Sequence, residues 1–353
     1  MMKKILQLFS VKKSGNENRI EQLDYIRGLA IILVLLHHSM MPGGDWILAF
    51  HMPLLFLLSG YTESLRNRTR TFLPYFKNRL LRLVVPYFLF EFVNLAAWYV
   101  SLTWNGGHLE LKDAVYAIAA CLNTDAYTGF YGRLWFLPCM FVSDLWFFAI
   151  RRICGKRKTA LWFSAAGMLV LSWCTCQLMP FRLPFAMDTA FLATAFLIMG
   201  YVSENEINRL LQEKKPLTDG LTAVLSLLVL WFSVKYGRGY CLMFMNNYGP
   251  FGWTILAAVS GSVLFFVMAK WMYALNCRVQ FGRNLVLWYG YHSLAVFPVH
   301  LSIKIAFLRM VRGPFRTWQL LMLVMLLLSV PVVNAIERYL PFMLGNFRRN
   351  PDV

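Results

Sequence analysis

Apolar stretches of roughly 18 to 25 residues recur along the whole chain, each long enough to cross a hydrocarbon core about 30 Å thick at about 1.5 Å of rise per residue. A water-soluble surface cannot be built around so many of them. Of the 353 residues 58% are hydrophobic and only 15% charged, against roughly 25% charged in an average soluble domain. The expected fold is therefore all-α, a polytopic membrane bundle of about ten transmembrane helices. The spans fall at roughly 24–41, 46–65, 84–104, 134–150, 159–178, 187–203, 217–235, 251–273, 285–308 and 318–342. Residues 1–22 read as a basic cytoplasmic tail, 23–343 as the transmembrane domain and 344–353 as a short cytoplasmic tail.

A formal net charge of +18 in a soluble protein would point to nucleic acid. Here the Lys and Arg residues sit in short clusters between apolar runs, which is how a multispan protein distributes charge on its cytoplasmic side. The partner this implies is the lipid bilayer, and the cluster pattern places both termini in the cytoplasm of a cell-membrane protein. The seven cysteines lie mostly inside apolar segments and read as packing residues, with no metal-ligand spacing around them. The first apolar run follows a polar basic segment and lacks a small-residue cleavage site, so it does not read as a secretory signal.

Two segments are too polar to span. Residues 105–133, with Asn105, Gly106, Gly107, His108, Glu110 and Asp113, are expected as an outer loop carrying a short amphipathic helix near 112–122. Residues 236–250, with Gly237, Arg238, Asn246 and Asn247, make a second outer loop. Loops of this kind are natural docking places for an external acceptor.

An ionisable side chain at membrane depth costs a few kcal/mol, so each needs a partner or a task. The first span carries Asp24, Arg27, His37 and His38. At about 100° and 1.5 Å per residue, Arg27 and His38 lie roughly 20° apart around the helix and about 16 Å apart along it, with Asp24 near the same face and His37 about 80° away. One stripe thus runs from a cytoplasmic arginine to a histidine in the outer half. A snorkelling Arg27 and an end-of-helix His38 would explain each residue separately, but not their shared face. Glu91, Asp144 and Asp188 are further buried charges expected to pair with arginines or with His38, and His292 and His300, eight residues apart, border one side of a late helix.

The run RIEQLDYIRGLAIILVLLHHS resembles the first-helix signature of membrane acyltransferase family 3, in which an LD, an RG and an Arg-x10-His spacing occur together. FHMPLLFLLSGY, with His51, Pro53, Ser59, Gly60 and Tyr61, is similar to the second helix of the branch that contains sugar O-acetylases. FKNRLLRLVVPYF supplies Arg79, Arg82 and Pro86 in the family's Arg-x-x-Arg-x-x-x-Pro pattern, and LWFLPCMF and FPVHLS resemble later landmarks. After His300 the chain reads Leu-Ser where many members have Trp-Pro.

The resemblance implies an O-acetyltransferase that draws acetyl-CoA from the cytoplasm and modifies a cell-envelope carbohydrate or lipid-linked glycan, with no metal. His38, Arg27 and His51 are the expected catalytic set. His38 is the general base or a transient acyl acceptor, and His51 helps to hold the acceptor or polarise the carbonyl. Arg79 and Arg82, with Arg27, are expected at the phosphate-rich end of the donor, where guanidinium groups grip phosphates. Asp24, Ser59, Tyr61 and His300 are expected to touch substrate. Two other readings of the same chain are a transporter or flippase, which needs no Arg27-to-His38 spacing, and a non-catalytic membrane sensor, in which His38 is dispensable.

Overall fold

The computed structural model describes residues 21–66, 71–104, 108, 110–124, 134–213, 215–237, 241–276, 280–311 and 313–347. Most of the N-terminal tail lies outside these residues, as do Arg68, Arg70, parts of the first outer loop including Tyr127 and Tyr131, Arg238, Arg278 and the last six residues.

The described chain is a succession of helices: α1 (Glu21–His38), α2 (Gly44–Leu48), α3 (His51–Arg66), α4 (Phe72–Arg79), a π-helical turn (Leu80–Val84) leading into α5 (Val85–Trp104), then α6 (Leu111–Asn123), α7 (Phe136–Cys154) and α8 (Lys158–Leu178). After a 3-10 turn at Pro184–Ala186 come α9 (Met187–Val202), α10 (Glu204–Gln212), α11 (Pro216–Gly237), α12 (Phe251–Asn276), α13 (Gln280–Tyr291), α14 (Ser293–Met310) and α15 (Trp318–Tyr339).

Among the described residues, seven helices are long and apolar enough to cross a membrane. The protein is a helical, multi-pass membrane bundle. Three of the ten expected spans form helices but fall short of that measure, and the reasons are local. α1 carries Glu21, Asp24 and Arg27 within its first two turns. α3 has 16 residues, about 24 Å of rise. α7 carries Asp144, Arg151 and Arg152.

The expected span 285–308 is not one helix. It divides at His292, whose φ of −101° and ψ of 15° interrupt the helical geometry. Backbone hydrogen bonds still bridge the break, from His292 N to Trp288 O (3.0 Å) and from Val296 N to His292 O (2.9 Å), so the chain bends there without opening into a loop.

The described residues form two compact units. The first takes in the chain up to Leu58 together with Ser203–Cys241 and Tyr248–Asn334. The second takes in Ser59–Val202, Leu242–Asn247 and the chain from Ala335 onward.

In the first unit α1 is the central element, with Tyr25, Ile26, Val34 and Leu35 fully buried. Its tight partner is α13. A side chain at Gly28 would run into the Val286 carbonyl, and one at Gly290 into the Asp24 carbonyl. Two glycines facing opposite backbones let the helices touch main chain to main chain, the close approach that small residues permit in membrane bundles. The RG element of the first-helix signature is thus a packing device at its glycine. Glu21 is held by Arg283 and by the Tyr273 hydroxyl (3.2 Å). Lys270 Nζ, 6% exposed, pairs with Asp219 at 2.6 Å and donates to the Glu213 carbonyl at 2.6 Å.

In the second unit Gly60 meets the carbonyl of Leu197, so the SGY element likewise carries a helix contact. Helix α6 forms where the amphipathic stretch is expected. Glu110 and Asp113 close a capping box at its start, and Ala117, Ala120 and Cys121 pack on Leu95 and Trp98 of α5. The loop Leu242–Asn247 is tied to the end of α9 by Arg182, which pairs with Asp188 at 2.5 Å and donates to the Phe244 carbonyl.

Candidate active site

Four histidines of the first unit form one group. α1 ends on His37 and His38, and the chain then turns sharply, with the Ser39 hydroxyl closing on the Leu36 carbonyl at 2.7 Å and Met40 in the left-handed region at φ 66°. This turn carries α2 and the first residues of α3 back past the end of α1. The His37 ring meets the His51 ring at a centroid separation of 4.7 Å and the His38 ring at 5.3 Å. On the far side of His38 stands His300 of α14, with centroids 5.0 Å apart. The order in space is His51, His37, His38, His300.

The rings are held by backbone carbonyls. His51 Nδ1 lies 2.8 Å from the Ile47 carbonyl, His37 Nδ1 3.3 Å from Gly44 O, and His300 Nδ1 3.2 Å from Val296 O. A carbonyl only accepts, so each of these contacts places the ring proton on Nδ1 and leaves the Nε2 lone pair as the basic position. His38 makes no such contact among the described residues. His51 and His300 are buried, His37 and His38 half-buried. Lys304, one turn beyond His300 on α14, brings a basic side chain near His37, His38 and His300. The arrangement therefore offers several neutral nitrogen bases, one of them free of backbone restraint, next to a cation. That set suits proton transfer and the stabilisation of a developing negative charge.

Arg27 and Asp24 are not in this group. Arg27 Nη1 pairs with Asp24 Oδ1 at 3.1 Å, and Asp24 is 1% exposed; by helical rise the pair stands about 16 Å or more from His38 along α1. His292 lies at the bend between α13 and α14 with its ring over Trp288 at 4.5 Å, while His300 alone of that pair reaches His38.

The other expected site residues belong to the second unit. Ser59 and the buried Tyr61 are on α3, and the Tyr61 carbonyl accepts from the Ser64 hydroxyl at 2.7 Å. Arg79 is turned inward. Its Nε lies 3.0 Å from Asp144 Oδ2 and its Nη2 3.9 Å from Glu63 Oε2, with side-chain exposures of 19%, 3% and 8% for Arg79, Asp144 and Glu63. The Tyr75 ring lies under the guanidinium at 5.2 Å. Arg82 is exposed. The two arginines part because residues 80–84 form a π turn, whose wider i-to-i+5 coil rotates Arg82 further from Arg79 than three α-helical steps would. Of the buried acids, Asp144 and Asp188 pair with Arg79 and Arg182, and Glu91 accepts from the backbone N–H of Leu134 at 3.2 Å.

Sequence reasoning missed three members of these groups. His37 bridges His38 and His51, and the doubled histidine at the end of a span was the signal. Lys304 is marked by its i+4 spacing from His300, and Glu63 by being an acid inside an otherwise apolar run. Among the described residues no cluster of three His, Cys, Asp or Glu side chains could hold a metal ion.

Comparison with known proteins agrees with this picture. The chain is 26% identical over 176 residues to the nodulation protein NolL of Mesorhizobium japonicum, a match covering 45% of this chain and 43% of that protein. The chain thus matches less than half the length of that relative. No solved structure matches it. A family model described as an acyltransferase domain matches residues 20–338, from the start of α1 to the end of α15. This polytopic chain, with its row of four histidines, belongs to that acyltransferase family.

Proposed function

We propose that the protein is a membrane O-acyltransferase that takes acetyl from cytoplasmic acetyl-CoA and places it on a hydroxyl of a cell-envelope carbohydrate or glycolipid. In this reading it sits in the cell membrane with both termini in the cytoplasm. The observation that carries the proposal is His38. It is the one ring of the four without a backbone hydrogen bond among the described residues, with neighbouring imidazoles on either side in a chain of the acyltransferase family.

The chemistry needs a held thioester, a proton acceptor for the hydroxyl and a positive environment for the oxyanion. A neutral imidazole near pH 7 can take the hydroxyl proton and return it to the leaving thiolate. The hydroxyl oxygen bonds to the acyl carbon, the carbon–sulfur bond breaks, and its electron pair leaves on sulfur. His38 serves either as this base or as a transient acyl acceptor. Lys304 offsets the developing negative charge. Arg82, exposed and outside any ion pair among the described residues, is the donor-phosphate contact. Arg79, already engaged by Asp144 and Glu63, holds the turn that presents Arg82, and Arg27 serves the cytoplasmic end of α1 through its pair with Asp24.

The test uses purified protein and radiolabelled acetyl-CoA, with an envelope glycan fraction as acceptor. Labelled product is expected from wild type and not from correctly inserted His38→Ala, and weaker labelling from Arg82→Ala. Equal labelling by wild type and His38→Ala would exclude the mechanism. A transporter or a sensor would give no labelled product at all.

A further inference from the structure

The geometry points to His300 as a second catalytic base, which takes the proton of the acceptor hydroxyl and leaves His38 to act as the acyl-carrying nucleophile. This deepens the reading above and rests on it.

The two rings are not equivalent. His300 is fully buried, and its Nδ1 proton is fixed by the Val296 carbonyl at 3.2 Å. Its Nε2 therefore carries a lone pair, and that atom is buried with no hydrogen-bond partner. A buried acceptor left open has lost its hydration with nothing in return. Such a position waits for a donor, and a substrate hydroxyl is a donor. Phe297 packs edge-on against the ring at 5.7 Å, so the buried ring is held by packing as well as by its hydrogen bond.

His38 has the complementary properties. It ends α1, its ring makes no hydrogen bond to a backbone carbonyl among the described residues, and it stands beside His300 at a centroid separation of 5.0 Å. An unrestrained ring can approach a thioester and then present the acyl group to a hydroxyl held at His300. A single histidine cannot both carry the acyl group and accept the proton of the attacking hydroxyl; two adjacent ones divide the tasks.

The steps balance. In the first, a His38 ring nitrogen attacks the thioester carbon, the nitrogen–carbon bond forms, the carbon–sulfur bond breaks, and the thiolate departs and takes a proton from water. In the second, the acceptor hydroxyl gives its proton to His300 Nε2 and its oxygen bonds to the acyl carbon. The nitrogen–carbon bond at His38 breaks, its electron pair returns to the ring, and His300 releases its proton to solvent. The titratable and charged groups facing His300 among the described residues are His38 on α1 and Lys304 on its own helix.

Two partial reactions separate the roles, using the full chain in detergent or liposomes. Exchange of label between acetyl-CoA and free CoA needs only the first step. Slow hydrolysis of acetyl-CoA, with water as surrogate hydroxyl, needs both. His300→Asn is the variant to use, because its amide nitrogen can replace Nδ1 in donating to Val296 O while no base remains at the Nε2 position. The expected result is exchange within about threefold of wild type and hydrolysis lower by about 100-fold or more, within the span general bases contribute. His38→Gln should lose both. If His300→Asn lowers exchange and hydrolysis together, or leaves hydrolysis intact, the second base is excluded.

A second variant stands in should His300→Asn not insert: His300→Gln should likewise keep exchange and lose hydrolysis, and loss of both activities or of neither would overturn the assignment. Wild-type protein that performs neither reaction would instead count against acetyl-CoA as donor, the reading on which this inference rests.

Discussion

The first and second units both bury ionisable side chains, but they treat them in opposite ways. In the first, His51, His37, His38 and His300 stand ring to ring, with three Nδ1 protons committed to carbonyls and at least one Nε2, that of His300, left open. In the second, the charges are matched. Arg79 has Asp144 and Glu63, and Arg182 has Asp188, the Thr189 hydroxyl and the Phe244 carbonyl. A buried charge is therefore not in itself a mark of chemistry. What separates the two is charge: arginines set against carboxylates lock helices through their ion pairs, whereas a neutral imidazole with an open lone pair can accept a proton.

The largest expected effect lies in the first unit. His38→Ala should lower the rate of acyl transfer by about 1,000-fold or more, consistent with loss of a nucleophile or base, while thermal unfolding in detergent changes little, because His38 is half-buried and without a backbone bond to lose. Transfer assays on matched amounts of inserted protein check this. A variant that is merely unstable, with normal specific activity, would place His38 among the structural residues and erase the contrast.

Next comes the closed set of the second unit, where the effect should fall on stability. Removing Arg79 leaves Asp144 and Glu63 buried without their cation, and breaking a buried pair from one side costs about 3–5 kcal/mol. Arg79→Met should therefore lower the unfolding midpoint in detergent sharply, and Arg79→Met with Asp144→Asn should recover much of the loss. If Arg79→Met instead keeps its stability and only raises KM for acetyl-CoA, Arg79 belongs to the donor site, as its spacing from Arg82 suggests.

That expectation shows where sequence reasoning reaches and where it stops. The apolar runs were legible because lipid imposes length and composition on every span: Lys158–Leu178, Pro216–Gly237 and Trp318–Tyr339 fall within a few residues of the stretches picked out by hydropathy. His38, His51 and His300 were legible as ionisable groups in apolar surroundings. The partners were not. Arg79 meets acids that come from α3 and α7, and no local pattern reports a pairing across such separations. The π turn at Leu80–Val84 is a hydrogen-bonding choice invisible to residue spacing, so the shared face inferred for Arg79 and Arg82 assumed an α-helix that is not there. His37 falls off the stripe because an ideal helix points it about 100° from His38. α1, however, ends at His38, and the turn through Ser39 and Met40 brings His51 to His37 from outside the helix. The break at His292 is likewise invisible to hydropathy, because backbone hydrogen bonds run on across it.

A smaller effect is expected at Arg82. As an exposed phosphate contact it acts through a charge-assisted hydrogen bond worth about 1.5–3 kcal/mol at most, reduced by solvent. Arg82→Ala should raise KM for acetyl-CoA about tenfold with little change in kcat, and the difference from wild type should shrink as salt is added, because exposed charges are screened over about 8–10 Å at ordinary ionic strength. Steady-state kinetics at two salt concentrations measure it. An unchanged KM would leave the cationic surface near the π turn without a part in donor binding.

The smallest predicted effect sharpens the contrast inside the first unit itself. His37 touches both His38 and His51, so it is either a participant in proton movement or a spacer that keeps the row in register. Its Nδ1 is tied to the Gly44 carbonyl at 3.3 Å, a long hydrogen bond worth about 1 kcal/mol or less, and no part of the two-base scheme routes a proton through it. His37→Phe keeps an aromatic ring between His38 and His51 and removes both nitrogens. Transfer should then fall by no more than about fivefold, with the pH profile unmoved, because ring packing and not a lone pair is what His37 supplies. A loss approaching that of His38→Ala, or a displaced pH profile, would mean that the reactive set extends outward past His38 toward His51 and is not confined to the His38 and His300 end of the row.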